Sequence, residues 1–148
     1  MQHTFDTVIT RDIFIRDNKD FTGQITLIWT NGKKCHTTNY KAGVWHGLYE
    51  CWWYNGNIRE RSNWRNGEKC GKEEYWREDG RIQEVITQEQ TGIIREEKYN
   101  QSGIKIRDVL FANGIFLSGN YYLELSQRSS KVNYKPKLTI ALNYAKYH

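Results

Sequence analysis

The chain has 148 residues, 22 Lys+Arg against 17 Asp+Glu, a net charge of +5, 14% aromatic residues and one proline. That length suits one domain with a continuous core, and so many rings and branched aliphatic side chains exclude a disordered chain. No stretch approaches the roughly 18 uncharged apolar residues of a membrane span, and the whole charge excess lies in the last 23 residues.

The opening MQHTFDTVITRDIFIRDNKD has charges interrupting every apolar run, so it lacks the hydrophobic segment of a secretory signal. Thr7-Val8-Ile9 and Ile13-Phe14-Ile15 read as short strands, making residues 1–22 an N-terminal cap. Three cysteines at no regular spacing make no disulfide framework, and the expected location is the reducing cytoplasm.

From residue 23 the chain repeats itself. Gly23, Gly47 and Gly71 are 24 apart; Gly32, Gly56 and Gly80 keep the same period, with Gly103 after 23; Gly43 and Gly67 form a third series whose next slot is Thr91. Asn31-Gly32, Asn55-Gly56 and Asp79-Gly80, with Ser102-Gly103 as a weaker version, suit type I′ turns with positive φ at both central residues. Before each turn lies an aromatic or β-branched run, and after it a polar strand marked by Ile58, Ile82 or Ile106. Each unit is therefore expected to be a β-hairpin, and the next turn (Lys41-Ala42-Gly43, Arg65-Asn66-Gly67) leads into the following one. In register, the hairpins place Ile28, Trp52, Trp76 and Tyr99 in one column and Tyr40, Trp64, Gln88 and Phe111 in another, where rings of neighbouring units stack.

The pattern W/Y-x-x-N/D-G-x-I, followed by W-x-N-G-x-x-x-G-x-x-x-x-W and best matched across residues 43–84, resembles the MORN-repeat variant. The resemblance implies an all-β fold: an elongated single-layer sheet of stacked antiparallel β-hairpins with one aromatic-rich face. It covers residues 23–114 as four units. Arg77, Gln88 and Thr91 stand where the pattern has an aromatic or a glycine, and a two-residue insertion between Gly92 and Gly103 makes the fourth unit degenerate. Residues 115–125, with Ile115, Phe116, Leu117, Tyr121, Tyr122, Leu123 and Leu125, are expected to form a second cap, and 126–148 a basic arm. Similar all-repeat bacterial and viral proteins carry the label of toxin–antitoxin antitoxins.

No nucleophile elbow, zincin motif, P-loop or dinucleotide fingerprint is present. Cys35, His36, His46 and Cys51 lack the knuckle spacing that organises a zinc site, so neither metal nor cofactor is expected. Interleaved acids and bases, Glu50 to Glu89 against Arg59 to Arg81, read as cross-strand charge pairs on a solvated face rather than as catalytic carboxylates. The chain is expected not to be an enzyme.

Trp52 and Trp53 are adjacent in a strand and so face opposite ways. One joins the ring stack; the other, Trp53, is expected to form a partner-binding patch on the second face, away from that stack, with Trp29, Trp45, Arg59 and Arg77, because tryptophan beside arginine is the usual composition of a binding hot spot. In the arm, Arg128, Lys131, Lys135, Lys137 and Lys146 could meet an acidic partner or lipid headgroups, while Leu138, Ile140, Leu142 and Tyr144 alternate as in a strand. No basic stripe runs along the repeats, which argues against nucleic acid. The leading expectation is a non-enzymatic interaction or scaffold module that binds another protein or copies of itself, for example as a structural component of a virion. The alternatives are an antitoxin-like inhibitor that binds a toxin and peripheral phospholipid binding through the tail.

Overall fold

The computed structural model describes residues 1–89, 91–122 and 133–134, and the chain falls into two compact units, Met1–Arg81 and Ile82–His148. The first holds β1 (Gln2–Phe5), α1 (Val8–Asp17), β2 (Gly23–Ile28), β3 (Lys34–Lys41), β4 (Val44–Trp52), β5 (Ile58–Arg65) and β6 (Glu68–Trp76). The second holds β7 (Ile82–Gln88), β8 (Ile93–Tyr99), β9 (Lys105–Ala112), β10 (Ile115–Tyr122) and β11 (Asn133–Tyr134). Apart from α1 the described elements are all β-strands. Within each unit the strands form one layer and neighbours in sequence are neighbours in space, antiparallel except for β1, which runs parallel to β2.

Residues 7–9 and 13–15 are not strands. Thr7 is the N-cap of α1, its hydroxyl accepting the Thr10 N–H at 3.1 Å, and Asn18 closes the other end through its backbone and its side-chain amide, both donating to the Phe14 carbonyl at 2.9 Å. Three consecutive apolar residues hide a helical period: Arg11, Phe14 and Ile15 turn inward and Asp12, Ile13 and Arg16 outward. A crossover of this kind is what a parallel β1–β2 pair requires.

The expected type I′ turns are not at the Asn-Gly and Asp-Gly positions. At Asn31-Gly32, Asn55-Gly56 and Asp79-Gly80 only the glycine has positive φ (80°, 96° and 86°). Trp29 N–H donates to the Lys33 carbonyl at 2.7 Å and Gly32 N–H to that of Trp29 at 2.9 Å, and the pattern recurs at Trp53 and Arg77. These are three-residue loops, a type I turn followed by a left-handed glycine. The acceptor oxygen of Asn31, Asn55 or Asp79 takes the N–H two residues on, at 3.0, 2.8 and 2.9 Å, which keeps that residue at ordinary negative φ. Type I′ geometry belongs to the other series: Ala42-Gly43 (49° and 77°), Asn66-Gly67 (52° and 84°) and Asn113-Gly114 (50° and 76°).

The 23-residue step also has a structural reason, and it is not an insertion. In β4 and β6 the pairing skips two residues, at Gly47 and Gly71, so four residues of β4 span two of β3. β8 pairs with β7 without that bulge, while the turn from Glu89 to Ile93 has the longer three-residue form. The unit thus loses two residues and gains one. β10 continues the second unit by pairing with β9, with a bulge at Leu117.

Alternation and register put Ile25, Leu27, Thr38, Tyr40, Tyr49, Cys51, Ser62 and Glu73 on one face of the first unit, and most of them are buried. Ring contacts run along this face from Phe14 to Phe21 (5.1 Å), Tyr40 (6.0 Å), Trp45 (6.4 Å) and Trp64 (4.6 Å). Phe21 lies one repeat before Trp45, just as Tyr40 lies one before Trp64, so the repeat already begins at Phe21-Thr22. The two expected ring columns lie on opposite faces: Trp52 and Trp76 share theirs with Glu50, Arg61 and Glu74, where Lys34 lies 5.5 Å from the Trp52 ring and Arg61 5.7 Å from that of Trp76.

Candidate functional site

The site is built on the half-buried face of the first unit. α1 packs on β1 and β2 and reaches β3 through Arg11, whose Nη1 lies 3.3 Å from His36 Nε2. Among the described elements of this unit nothing else lies over the face: Tyr40 of β3 packs in one cluster with Phe14 and Ile15 of α1, and the rings of β4 to β6 are covered by neighbouring side chains alone.

Three groups of side chains stand on it. The first is the turn column. Trp29 and Trp53 occupy equivalent positions one repeat apart, and each indole N–H donates to the backbone of the next hairpin, Trp29 to the Trp52 carbonyl at 3.2 Å and Trp53 to the Trp76 carbonyl at 3.1 Å. Asn31 and Asn55 make the parallel bonds to the Tyr54 and Glu78 carbonyls at 2.9 and 2.8 Å. The Arg59 guanidinium lies over the Trp53 ring at 4.7 Å, a cation–π contact, and Arg77 takes the column position after Trp53. Trp29, Trp53, Arg59 and Arg77 therefore belong to one strip, but on the half-buried face and not on the opposite one as expected: alternation puts Trp53 on the side of Cys51 and leaves Trp52 on the charged face.

Trp45 does not join that strip. Its ring stacks on Tyr49 at 5.3 Å and meets Trp64 edge-on, while its indole N–H donates to the Tyr40 hydroxyl at 3.2 Å. It belongs to the second group, the ring ladder, which ends in charge. Lys69 fills the slot that Phe21 and Trp45 fill in earlier repeats; its ammonium lies 5.7 Å from the Trp64 ring and donates to Glu60 (3.1 Å), Glu73 (3.0 Å) and the Tyr75 hydroxyl (2.8 Å). Burial alone would lower the Lys69 pKa, but these acceptors outweigh it and raise it. Burial and the hydrogen bond to Glu73 push the Tyr75 hydroxyl up to about 12. The sequence signal for this cluster was a lysine standing in an aromatic column.

The third group is Cys35, His36, Tyr49 and Cys51, with Arg11 and Arg59 beside them. Burial, then the Arg11 charge, lower the His36 pKa to about 4. A depressed histidine pKa means that the unfolded chain binds the proton more readily. The contribution is fully present above about pH 6.5 and is lost as the pH falls towards 4. After discounting for solvent screening, the wild type is expected to lose about 1 kcal/mol more than His36→Gln between pH 7 and pH 5, read from urea midpoints. Equal losses in the two proteins would refute this.

His36 lies opposite Cys51, whereas His46 Nδ1 accepts the Asn66 N–H at 3.4 Å. Among the described residues no three His, Cys, Asp or Glu side chains converge on a metal position. No described helix is long and apolar enough to cross a membrane. Arg128, Lys131, Lys135, Lys137 and Lys146 lie outside the described residues. Compared with known proteins, the chain matches no family model and no curated sequence.

Proposed function

We propose that the chain is a non-enzymatic interaction or scaffold module of MORN-like hairpins, which engages another protein, or further copies of itself in a larger assembly, through the Trp29–Trp53–Arg77 strip. The observation that carries this reading is the Arg59 guanidinium stacked at 4.7 Å on a half-buried Trp53, on a face that, among the described elements of its unit, only α1 covers, at the β1–β2 end. Tryptophan and arginine, held rigid and partly desolvated, are the side chains on which interface free energy concentrates. The indole bonds to the next hairpin fix the rings before any partner arrives, which reduces the ordering cost of binding.

Those same bonds make Trp53→Ala a poor test, because it loosens the hairpin as well as the surface. Arg59 is exposed and can be reversed in sign without opening the fold. With the co-purifying protein isolated and recombined with the full chain, Arg59→Glu is expected to weaken binding at least tenfold, while the unfolding midpoint moves by no more than about 2 °C. Arg65→Glu, on the opposite face, is the control and retains binding. An Arg59→Glu chain that binds like the wild type would overturn the proposal.

A further inference from the structure

We propose that Cys35 and Cys51 form a reversible cross-strand disulfide, a redox modification site on the half-buried face of the first unit.

Both thiols are free, and the register brings them together. Cys51 of β4 lies directly opposite His36 of β3, so Cys35 is diagonal to it. Strand spacing and rise put such a pair about 6 Å apart, Cα to Cα, within the range of roughly 4.4–6.8 Å that a disulfide spans. In a regular strand, neighbours such as Cys35 and His36 would point to opposite faces. Here Cys35 is the extra residue of the bulge where the β2–β3 register shifts between Leu27 and Ile28, and such a residue can turn to the side of its neighbour. Its electrostatic neighbours are Cys51, Arg59, Arg11 and Tyr49. Cys51 and Tyr49 stand on the half-buried face with His36, which Arg11 contacts.

Accessibility sets the order of events. Cys35 is partly exposed and Cys51 is buried, so a small disulfide reaches Cys35 first. The Cys35 thiolate attacks one sulfur of oxidised glutathione, forming a mixed disulfide and releasing one glutathione thiolate. The Cys51 thiolate then attacks the Cys35 sulfur and displaces the second. Two cysteine thiols lose two electrons and two protons, and one glutathione disulfide becomes two thiols. Burial, together with the Cys51 charge, raises the Cys35 pKa, so the exchange is slow at neutral pH and speeds up as the pH rises. Cys70 is opposite Asn63 in the β5–β6 pair, on the other face; partly exposed like Cys35, it can take glutathione, but neither other thiol lies on its face to close with.

The test is incubation of the folded full chain with oxidised glutathione, followed by peptide mapping. The expected product is a monomer with a Cys35–Cys51 linkage, two mass units lighter apart from any glutathione on Cys70, and with a higher unfolding midpoint that dithiothreitol reverses. Cys51→Ser should stop at a stable glutathione adduct on Cys35. In urea the same treatment should scatter the linkages among all three cysteines, which shows that the fold directs the pairing. A wild-type chain that accumulates the Cys35 adduct without closing, or links through Cys35 to a second chain, would overturn the proposal.

Discussion

Trp64→Ala is expected to lower the unfolding free energy of the unit Met1–Arg81 by about 3 kcal/mol, at the low end of buried-tryptophan truncations because the ring is only half covered. Three losses combine. The edge-on contact with Trp45 at 4.6 Å disappears, and so does the Lys69 ammonium's position over the ring. The third is a hydrogen bond: Trp64 Nε1 donates at 3.1 Å to Ser62 Oγ, and Ser62 is 0% exposed, so no solvent replaces the donor. Trp64→Phe separates the contributions, since it keeps a ring against Trp45 and removes only the indole donor; about 1 kcal/mol is expected from it. Both are read from urea unfolding, with Arg65→Ala as an exposed neighbour. A Trp64→Ala loss no larger than that of Arg65→Ala would show that the ladder is surface decoration and not the core of this unit.

The ladder also shows where the sequence was legible. Glycine spacing alone gave the hairpins, because a turn that needs positive φ tolerates few other residues and so recurs visibly. It could not say which glycine served which turn. Asn-Gly fits both a type I′ turn and the last two residues of a three-residue loop, and the choice depends on whether the asparagine side chain caps the turn. The bulges at Gly47 and Gly71 decide the missing residues of the fourth unit, yet they appear in sequence only as glycines inside strands. The Trp29–Trp53 strip was visible as a period, while the placement of Trp45 with the ladder needed the register. The N-terminal helix was missed because Ile13-Phe14-Ile15 is as apolar as a strand, and its helical face is completed by Arg11, a charged residue.

That N-terminal segment sets the second large effect, the expected loss of about 3 kcal/mol in Gly43→Ala. Gly43 has φ +77° in the two-residue turn between β3 and β4, and a methyl group there would overlap the backbone carbonyl oxygen of Lys19. The neighbour is main chain, held in place by further bonds: Gly43 N–H donates to the Phe21 carbonyl at 2.8 Å, and Ala42 N–H to Thr22 Oγ1 at 2.9 Å. Relief therefore requires the segment after α1 to lift from the turn, taking Phe21 away from Tyr40 and opening the first rung of the ladder. Gly67→Ala provides the comparison, since it has the same turn one repeat later at φ +84°, but its nearest neighbour is the Val44 side chain at 3.2 Å, which can rotate. There only the backbone term of about 1 kcal/mol is expected. Urea midpoints rank the two variants, and amide exchange locates the damage: Gly43→Ala should lose protection in α1 and β1, and Gly67→Ala should not. Equal destabilisation by the two, with α1 protected in both, would mean that the N-terminal segment is not clamped to the first turn and that the ladder begins at Tyr40.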